Sequence, residues 1–351
     1  MEYRKIGSSQ LVLPAITFGA WAIGPKMMGG CDSHEALKAL RKAFDLGVNA
    51  IDTAAQYGLG YSEELVGKML QDIPRDKIKV LTKCGMVWYG NKGEPYLQNE
   101  EIGGSSYNLF KYSGKASIIQ ECENSLRRLG TDYIDHYSLH WPDSTTPVEE
   151  TMEAFEILQQ QGKILHVGVC NHSLSQLKSM MSGSGVQIVS NKVRYSMLNR
   201  EPDERLTPYC SDQNISIFAY CLLQRGILSG QKVRKWLWRI GENPREAALY
   251  GSDNTGHIKK LFSILKPLAS DYGVTLSQLS IRWALEQPGI TIGLLGAVSA
   301  EQVAHDAGAI NLDLDNADKL IIQEALTDME GKMNWGQEVK WTPNDHEYYF
   351  E

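Results

Sequence analysis

Short apolar runs alternate with stretches of helical period along most of the chain. The run at 16–21 (Ile-Thr-Phe-Gly-Ala-Trp) leads into a glycine-rich loop and then a helix from about His34 to Leu46. In that helix Ala36, Leu37, Leu40 and Phe44 recur at helical spacing, and Gly47 is the stop. The pattern repeats as strand 49–54 and helix 62–71, strand 78–84 and helix 117–129, strand 133–140 and helix 148–161, and strand 164–170 and helix 174–181. It continues with strand 188–195 and helix 204–213, then strand 215–222 and a helix at 257–272. A further helix at 276–287 precedes the last strand, 290–297, and helices at 299–306 and 315–328. Strands alternating with helices imply a parallel sheet, and eight such units close naturally into an α/β architecture, the (β/α)8 TIM barrel. With no linker in view, residues 1–351 are expected to form a single barrel domain ending in a tail at 330–351. Ahead of the barrel, residues 3–7 and 11–16 flank Ser8-Ser9-Gln10 and predict a small β-hairpin, placed as a lid across one barrel end.

Two connections are long and aromatic. Residues 86–116 carry Trp88, Tyr89, Tyr96, Tyr107, Phe110 and Tyr112, and residues 224–256 carry Trp236, Trp238 and Tyr250. Both follow strands, so both belong to the carboxyl-terminal rim of the barrel, where such loops shape pockets. The tail after Lys332, with Trp335, Trp341, Tyr348, Tyr349 and Phe350, is expected to fold back over the barrel or to pack against a second subunit, a homo-oligomer contact.

A net charge of −7 gives no footprint for nucleic acid or an anionic membrane surface. The charged opening Met1-Glu-Tyr-Arg-Lys is no signal peptide, and no apolar run is long enough to span a bilayer. The six cysteines (31, 84, 122, 170, 210 and 221) lack any Cys-x-x-Cys spacing and read as reduced thiols of a cytoplasmic protein, with no metal site.

Three strands end on residues that a buried strand should avoid. Asp52 lies near the end of Val48–Ala54, Lys83 late in Lys79–Cys84, and His140 at the last position before Trp141 and Pro142. Tyr57 falls in the turn after the first of these. A buried carboxylate is costly unless paired or used. Any one of these residues has an ordinary reading, as a helix cap or a satisfied core histidine. The four together, if the strands are parallel neighbours, meet at one rim. A tyrosine near pKa 10 is a poor acid or base at neutral pH, but a neighbouring ammonium favours its phenolate. With Asp52 as counter-charge to Lys83, and His140 opposite, such a site could polarise a carbonyl and protonate the alkoxide formed when hydride arrives.

The chain resembles the aldo-keto reductase superfamily over nearly its whole length. The resemblance rests on Asp52-Thr-Ala-x-x-Tyr57-Gly with Ser62-Glu-Glu, on Thr82-Lys83, on Ser125-Leu-Arg-Arg-Leu-Gly-Thr-Asp-Tyr-Ile-Asp135, on His140-Trp-Pro-Asp, and on Gly162-Lys-Ile-Leu-His-Val-Gly-Val-Cys-Asn171. It is similar to the bacterial branch that contains inositol-dehydrogenase-like and general-stress reductases, with which it shares the Trp21-Ala-Ile-Gly opening. The resemblance implies NAD(P)(H)-linked oxidoreduction between a carbonyl and an alcohol, with Tyr57 as proton donor, Asp52 and Lys83 tuning it, and His140 orienting the substrate. A small carbonyl or polyol of sugar or cyclitol type is the expected substrate, against Trp21, Trp88 and Trp141.

Cofactor contacts implied by the resemblance fall on Gly19, Ala20, Trp21, Cys170, Asn171, Lys192, Tyr220, Cys221, Leu223, Gly296, Val298, Gln302 and Asp306. Several depart from the family's pattern. Cys170 stands where a serine is usual, Leu222 where proline is common, and Lys192 and Arg194 where the family has Gln and Glu. A cation at Lys192 would lie beside the nicotinamide, where it could either disfavour the oxidised cofactor or bind an anionic substrate. Tyr220 matches the aromatic that stacks on that ring. After Gly296-Ala297, the branch commonly carries Lys or Arg to grip the 2′-phosphate of NADP. Here Val298 and Ser299 follow, and Asp306 replaces an asparagine. Loss of cations and gain of a carboxylate penalise a dianionic phosphate, so NAD(H) is the expected preference, unless Lys232 or Arg234 supplies the charge. Gly58-Leu-Gly60 lacks the third glycine of a dinucleotide fingerprint and belongs to the second unit. Two other functions compete: a cofactor-binding sensor with little turnover, and a lyase using Lys83 as a Schiff-base nucleophile.

Overall fold

The computed structural model describes residues 1–24, 32–102, 105–182, 185–230, 233–234, 248–249, 252–335 and 347–348. The chain groups into two compact units, one holding Met1–Arg194, Pro202–Tyr220 and Pro288–Ala307, the other Tyr195–Glu201, Cys221–Gln287 and Gly308–Glu351.

The first unit is the barrel. A hairpin of β1 (Tyr3–Lys5) and β2 (Val12–Pro14) precedes the strands β3 (Ile16–Gly19), β4 (Ala50–Asp52) and β5 (Lys79–Cys84). Three strands outside the barrel follow, β6 (Met86–Val87), β7 (Glu94–Ile102) and β8 (Ser105–Lys111), and then β9 (Ile134–Leu139), β10 (Ile164–Cys170), β11 (Ile188–Arg194) and β12 (Ser216–Tyr220). Past β13 (Val233–Arg234) of the second unit, β14 (Ile290–Leu295) completes the set. Strands β3, β4, β5, β9, β10, β11, β12 and β14 pair in that order, all parallel, and β14 pairs back with β3, so the sheet closes. Helices α1 (Ser33–Asp45), α2 (Tyr61–Leu70), α3 (Lys115–Leu129), α4 (Val148–Gln160), α5 (Leu174–Met181) and α6 (Leu206–Asp212) follow their strands as the periodicity predicts, with ends shifted by a few residues.

The pleat explains how short strands carry both core and chemistry. Side chains two apart share a face, so Ala50 lies under Asp52, Leu81 under Lys83, and Phe218 under Tyr220. The lower members join Ile6, Leu11 and Leu13 of the hairpin, with Val189, Ile292 and Leu294, in one buried apolar cluster. The hairpin is therefore a plug of the amino-terminal end, and full burial of Ile6 and Leu13 contributes about 1.5–3 kcal/mol each. Its turn sits so close to the barrel that a Cβ on Gly7 would meet the carbonyl oxygens of Asn214 and Val189 at 2.6 Å, and Gly7 also takes a left-handed φ of 52°. Gly7 N donates to Ser216 Oγ at 2.8 Å, which fixes the plug on β12.

The segment 86–116, read from sequence as a long loop, contains an antiparallel sheet in the order β6-β8-β7. Gly103-Gly104 stands between β7 and β8 as a two-residue hairpin signal, but the run Asn99-Glu-Glu interrupts the apolar alternation that would have marked the strands on either side.

In the second unit, helices α7 (Ser252–Asp271), α8 (Leu276–Leu285) and α10 (Asn316–Lys332) are present, while α9 (Ala300–Ala307) belongs to the barrel unit. Thr275 and Gln278 form a capping box on α8, Tyr195 stacks on Trp283 at 6.0 Å, and Tyr272 donates to Asp318 at 2.6 Å. Strand β13 pairs antiparallel with β15 (Glu347–Tyr348). Trp335 donates its Nε1 hydrogen to the Glu330 carbonyl at 3.3 Å. Trp236, Trp238 and Tyr250 of the second long connection, Trp341, Tyr349 and Phe350 of the tail, Cys31 and Lys232 lie outside the described residues. Cys84, Cys122, Cys170, Cys210 and Cys221 are free thiols. Among the described residues no helix is long and apolar enough to cross a membrane.

Candidate active site

Asp52 is the last residue of β4 and Lys83 the fifth of β5, and the parallel register sets them on neighbouring strands at the carboxyl-terminal rim. Tyr57 follows in a turn closed by Tyr57 N donating to Ala54 O at 3.0 Å and Ser62 N to Tyr57 O at 3.1 Å. Gly58, Leu59 and Gly60 then take left-handed conformations and deliver the chain into α2, so the two glycines serve this turn. Ser62 Oγ pairs with Thr53 Oγ1 at 2.9 Å and donates to Ala20 O at 3.2 Å, which ties the short 3-10 turn bearing Ala20 and Trp21 to the end of β4.

Lys83 Nζ is held at three points. It donates to Asp52 Oδ1 at 2.5 Å, to the Thr53 carbonyl at 2.7 Å, and to the Tyr57 hydroxyl at 3.2 Å. His140, just past β9, anchors its backbone N–H on the Cys84 carbonyl at 2.9 Å. Its ring meets Tyr57 edge-on, centroids 5.8 Å apart. The four residues flagged by the strand ends thus form one contact group.

A fifth member joins them from β11. Lys192 is 1% exposed and its ammonium pairs with Asp52 Oδ2, the oxygen that Lys83 leaves open. The family resemblance places this cation beside the nicotinamide; in the structure its ammonium is paired with the Asp52 carboxylate. The signal was present: Lys192 lies inside an apolar strand, as Asp52 and Lys83 do, and three such residues ask to be paired together.

Burial pushes the Asp52 carboxyl upward, but Lys192 and Lys83 together outweigh it and hold the group below its ordinary value. Burial is also the main effect on Lys192, lowering it, partly offset by Asp52. Desolvation first, and repulsion from Lys83 second, press His140 well below the usual imidazole range, so the ring is neutral at pH 7. Cys170, buried on β10, is pushed up to about 11 by desolvation and stays a thiol.

Asn171 follows β10 with φ 60°, one of few non-glycine residues in that region. Its Nδ2 donates to the His140 carbonyl at 3.1 Å, and its Oδ1 accepts from the Tyr220 hydroxyl at 2.6 Å. The Arg194 guanidinium lies 5.7 Å from the centre of the Tyr220 ring. Each half of the Asn171 amide has further capacity, one N–H and one lone pair, which is the complement of a carboxamide. Gly19 and Gly296 come together where β3 and β14 end, and a Cβ on Gly296 would touch Ala22 at 3.5 Å. The Gln302 side chain accepts from Val298 N at 3.0 Å, and Ser299 Oγ caps Gln302 N at 3.2 Å. Asp306 is buried, which raises its pKa, and bonds His305 Nδ1 at 2.7 Å. Cys221 and Leu223 belong to the second unit, where Cys221 takes φ 58° and its carbonyl accepts from Gln224 N at 2.8 Å.

Of the three tryptophans, Trp141 lies against Tyr96 of β7 with centroids 5.6 Å apart. The Lys111 ammonium is 5.8 Å from the Trp141 ring and pairs with Glu94 at 2.8 Å. Trp88 meets Tyr89 edge-on. Two motif stretches prove structural. Glu63, fully buried, accepts from Thr82 Oγ1 and from Arg128 Nε, each at 2.6 Å, and Asp135 accepts from Arg75 at 2.7 Å and from Val80 N at 2.9 Å. Among the described residues no cluster of His, Cys, Asp and Glu could hold a metal ion.

Residues 15–327 match the profile of the aldo/keto reductase family. The chain is 32% identical over 337 residues to the aldo-keto reductase YhdN of Bacillus subtilis, covering 94% of this chain and 96% of that protein. It is 32% identical over 335 residues to the NADH-specific methylglyoxal reductase of Escherichia coli, covering 94% of this chain and all of that one. A solved glycerol dehydrogenase, AKR11B4 of Gluconobacter oxydans, superposes with a TM-score of 0.80 at 28% identity, over 97% of this chain and 98% of its own. The chain belongs to the aldo/keto reductase family, whose members bind NAD(P)H and reduce carbonyl compounds.

Proposed function

We propose that this enzyme interconverts a small polar carbonyl compound and its alcohol, with Tyr57 as the general acid and base. The observation that carries the reading is the Lys83 ammonium fixed between the Asp52 carboxylate and the Tyr57 hydroxyl, 2.5 Å from one and 3.2 Å from the other. A cation there favours the phenolate over the phenol, so the proton leaves Tyr57 more readily for a developing alkoxide. Neutral His140 donates to or orients the substrate oxygen. Lys83 spends its three N–H donors on Asp52, Thr53 and Tyr57, which supports this role over Schiff-base chemistry, since a nucleophilic amine needs an open lone pair.

Bound NAD(P)H supplies the hydride. Asn171 has the donor and acceptor left for a nicotinamide carboxamide, Tyr220 offers a ring face, and Gly296, Val298 and Gln302 offer backbone and amide groups. Asp306, with Val298 and Ser299 in place of cations, supports a preference for NADH over NADPH. The name of the NADH-specific relative in Escherichia coli points the same way. The named substrates of relatives, methylglyoxal and glycerol, support a short hydroxylated or dicarbonyl substrate at a rim carrying Trp21, Trp88 and Trp141. The family match over 15–327 supports one reductase domain across the chain.

Tyr57→Phe tests the reading. Carbonyl reduction should fall at least about a hundredfold, the usual contribution of a positioned general acid, while nicotinamide binding, followed by fluorescence, stays unchanged. Retained turnover would remove Tyr57 from the mechanism.

A further inference from the structure

We infer that Lys192 is a positioning residue which, through Asp52 and Lys83, makes the charge cluster behind Tyr57 net positive and so shifts this enzyme toward alcohol oxidation. The inference rests on the reading of Tyr57 as the proton-transfer group. A single lysine paired with a single aspartate would be neutral beside a neutral phenol. Here one carboxylate is shared by two buried ammonium groups, Lys83 on Oδ1 and Lys192 on Oδ2. With Tyr57 protonated the group carries one excess positive charge; with Tyr57 ionised it is balanced.

Asp52, also claimed by Lys192, neutralises Lys83 less completely, and Lys83 is the cation in contact with the Tyr57 oxygen. Three titratable groups described around the cluster bring no negative charge to it. His136 of β9 and His140 just past it are held neutral by desolvation, and Cys170 of β10 remains a thiol.

The direction of effect follows from the proton. In oxidation the alcohol O–H proton passes to the Tyr57 phenolate. The carbinol C–H bond breaks, its electron pair goes with the hydrogen to the oxidised nicotinamide cofactor, and the C=O bond forms. The cofactor is reduced and the alcohol oxidised. The reactive form of Tyr57 for this direction is the phenolate, which the excess cation stabilises. Reduction needs the phenol and loses at high pH what oxidation gains. Gln, which the family carries at this position, could still hydrogen-bond Asp52 but brings no charge.

The test compares wild type with Lys192→Gln, Lys192→Met and Lys192→Arg. The Tyr57 pKa is read without turnover, from the ring resonance of 13C-labelled tyrosine, assigned by its loss in Tyr57→Phe. Oxidation of glycerol with NAD+ and reduction of methylglyoxal with NADH are followed across pH. The Gln and Met variants should raise the Tyr57 pKa by about one unit. They should lower kcat/KM for oxidation roughly tenfold at neutral pH, a larger factor than the one by which they lower reduction at pH 6. Arg should behave as wild type. The Met variant reads the same quantity if the Gln variant does not fold. Superimposable pH profiles and an unmoved Tyr57 resonance would overturn the inference, as would an Arg variant shifted as far as Gln. A resonance that moves as expected in a protein with no turnover on any carbonyl or alcohol would support the Lys192–Tyr57 coupling and sink the oxidoreductase reading instead.

Discussion

Removing the Asp52 charge should expose how much of the rim depends on one carboxylate. In Asp52→Asn, two ammonium groups, on Lys83 and Lys192, lose their counter-charge at sites 4% and 1% exposed. An orphaned buried ion costs about 3–5 kcal/mol. The same figure can be reached from titration. A lysine can escape the penalty by losing its proton, and at pH 7 that costs about 1.36 kcal/mol for each of the roughly 3.4 units below its free pKa, or about 4.6 kcal/mol. The variant should therefore lose about 3–5 kcal/mol at pH 7. Its folded state would then hold a lysine with depressed pKa, so the unfolded state binds more protons and stability rises with pH. Near pH 9.4, one unit below the free lysine value, the same escape costs only about 1.4 kcal/mol, and the deficit against wild type should shrink to roughly that. Guanidinium unfolding at the two pH values, with slopes compared to confirm a common unfolded state, measures both numbers. The double variant Asp52→Asn/Lys192→Met supplies the sign: it should be more stable than Asp52→Asn alone, because one of the two stranded cations is gone. A deficit that is equal at pH 7 and 9.4, or a double variant less stable than the single, would refute the shared-carboxylate argument.

Two further outcomes are expected. Titration of the protein with NADH and NADPH, read by nicotinamide fluorescence, should give the tighter dissociation constant for NADH. Tighter NADPH would mean that a cation elsewhere grips the 2′-phosphate. Glu121 is buried against β5, accepting from Gly85 N at 3.0 Å and Ser117 Oγ at 3.2 Å, and desolvation pushes it from 4.5 to about 8. Its folded pKa is raised, so its contribution to stability is complete below pH 4.5 and is lost as pH rises through 8. Glu121→Gln should then match wild type near pH 5 and exceed it by on the order of 2–4 kcal/mol at pH 9; equal pH slopes in thermal unfolding would count against a protonated Glu121.

The parts of this molecule legible in the sequence are those written in a period. Strands of three to seven residues spaced by amphipathic helices specify a parallel closed sheet, because each apolar run needs cover on both faces. The hairpin plug was legible for the same reason. The sheet formed by β7 and β8 was not: Tyr107, Leu109 and Lys111 do alternate with Ser106, Asn108 and Phe110, but neither face is uniformly apolar, so the two-residue period carries no sign. The proposed cofactor contacts are still harder to read, since Val298, Ser299 and Gln302 present a backbone N–H, a hydroxyl cap and an amide, groups that any helix start could display.

The rim itself shows why charged residues in strands are the more informative signal. A strand residue's neighbours lie on the strands beside and across from it, so a lone Asp in an apolar run says only that a cation must be somewhere else in the sheet. Asp52, Lys83 and His140 could be grouped from sequence because their strands are consecutive barrel neighbours, β4, β5 and β9. Lys192 sits on β11, across the barrel rather than beside β4, and a reading that pairs neighbours assigns it to a ligand. Closure supplies the missing step. In an eight-stranded barrel the interior is just wide enough to be filled by side chains, so a lysine on a strand opposite an aspartate, at the same height, is within reach of it. Any inward-facing cation in the upper layer of such a barrel should be set against the inventory of inward-facing carboxylates there before a substrate or cofactor is invoked for it. Here that inventory has Asp52, and the two oxygens of Asp52 take one lysine each.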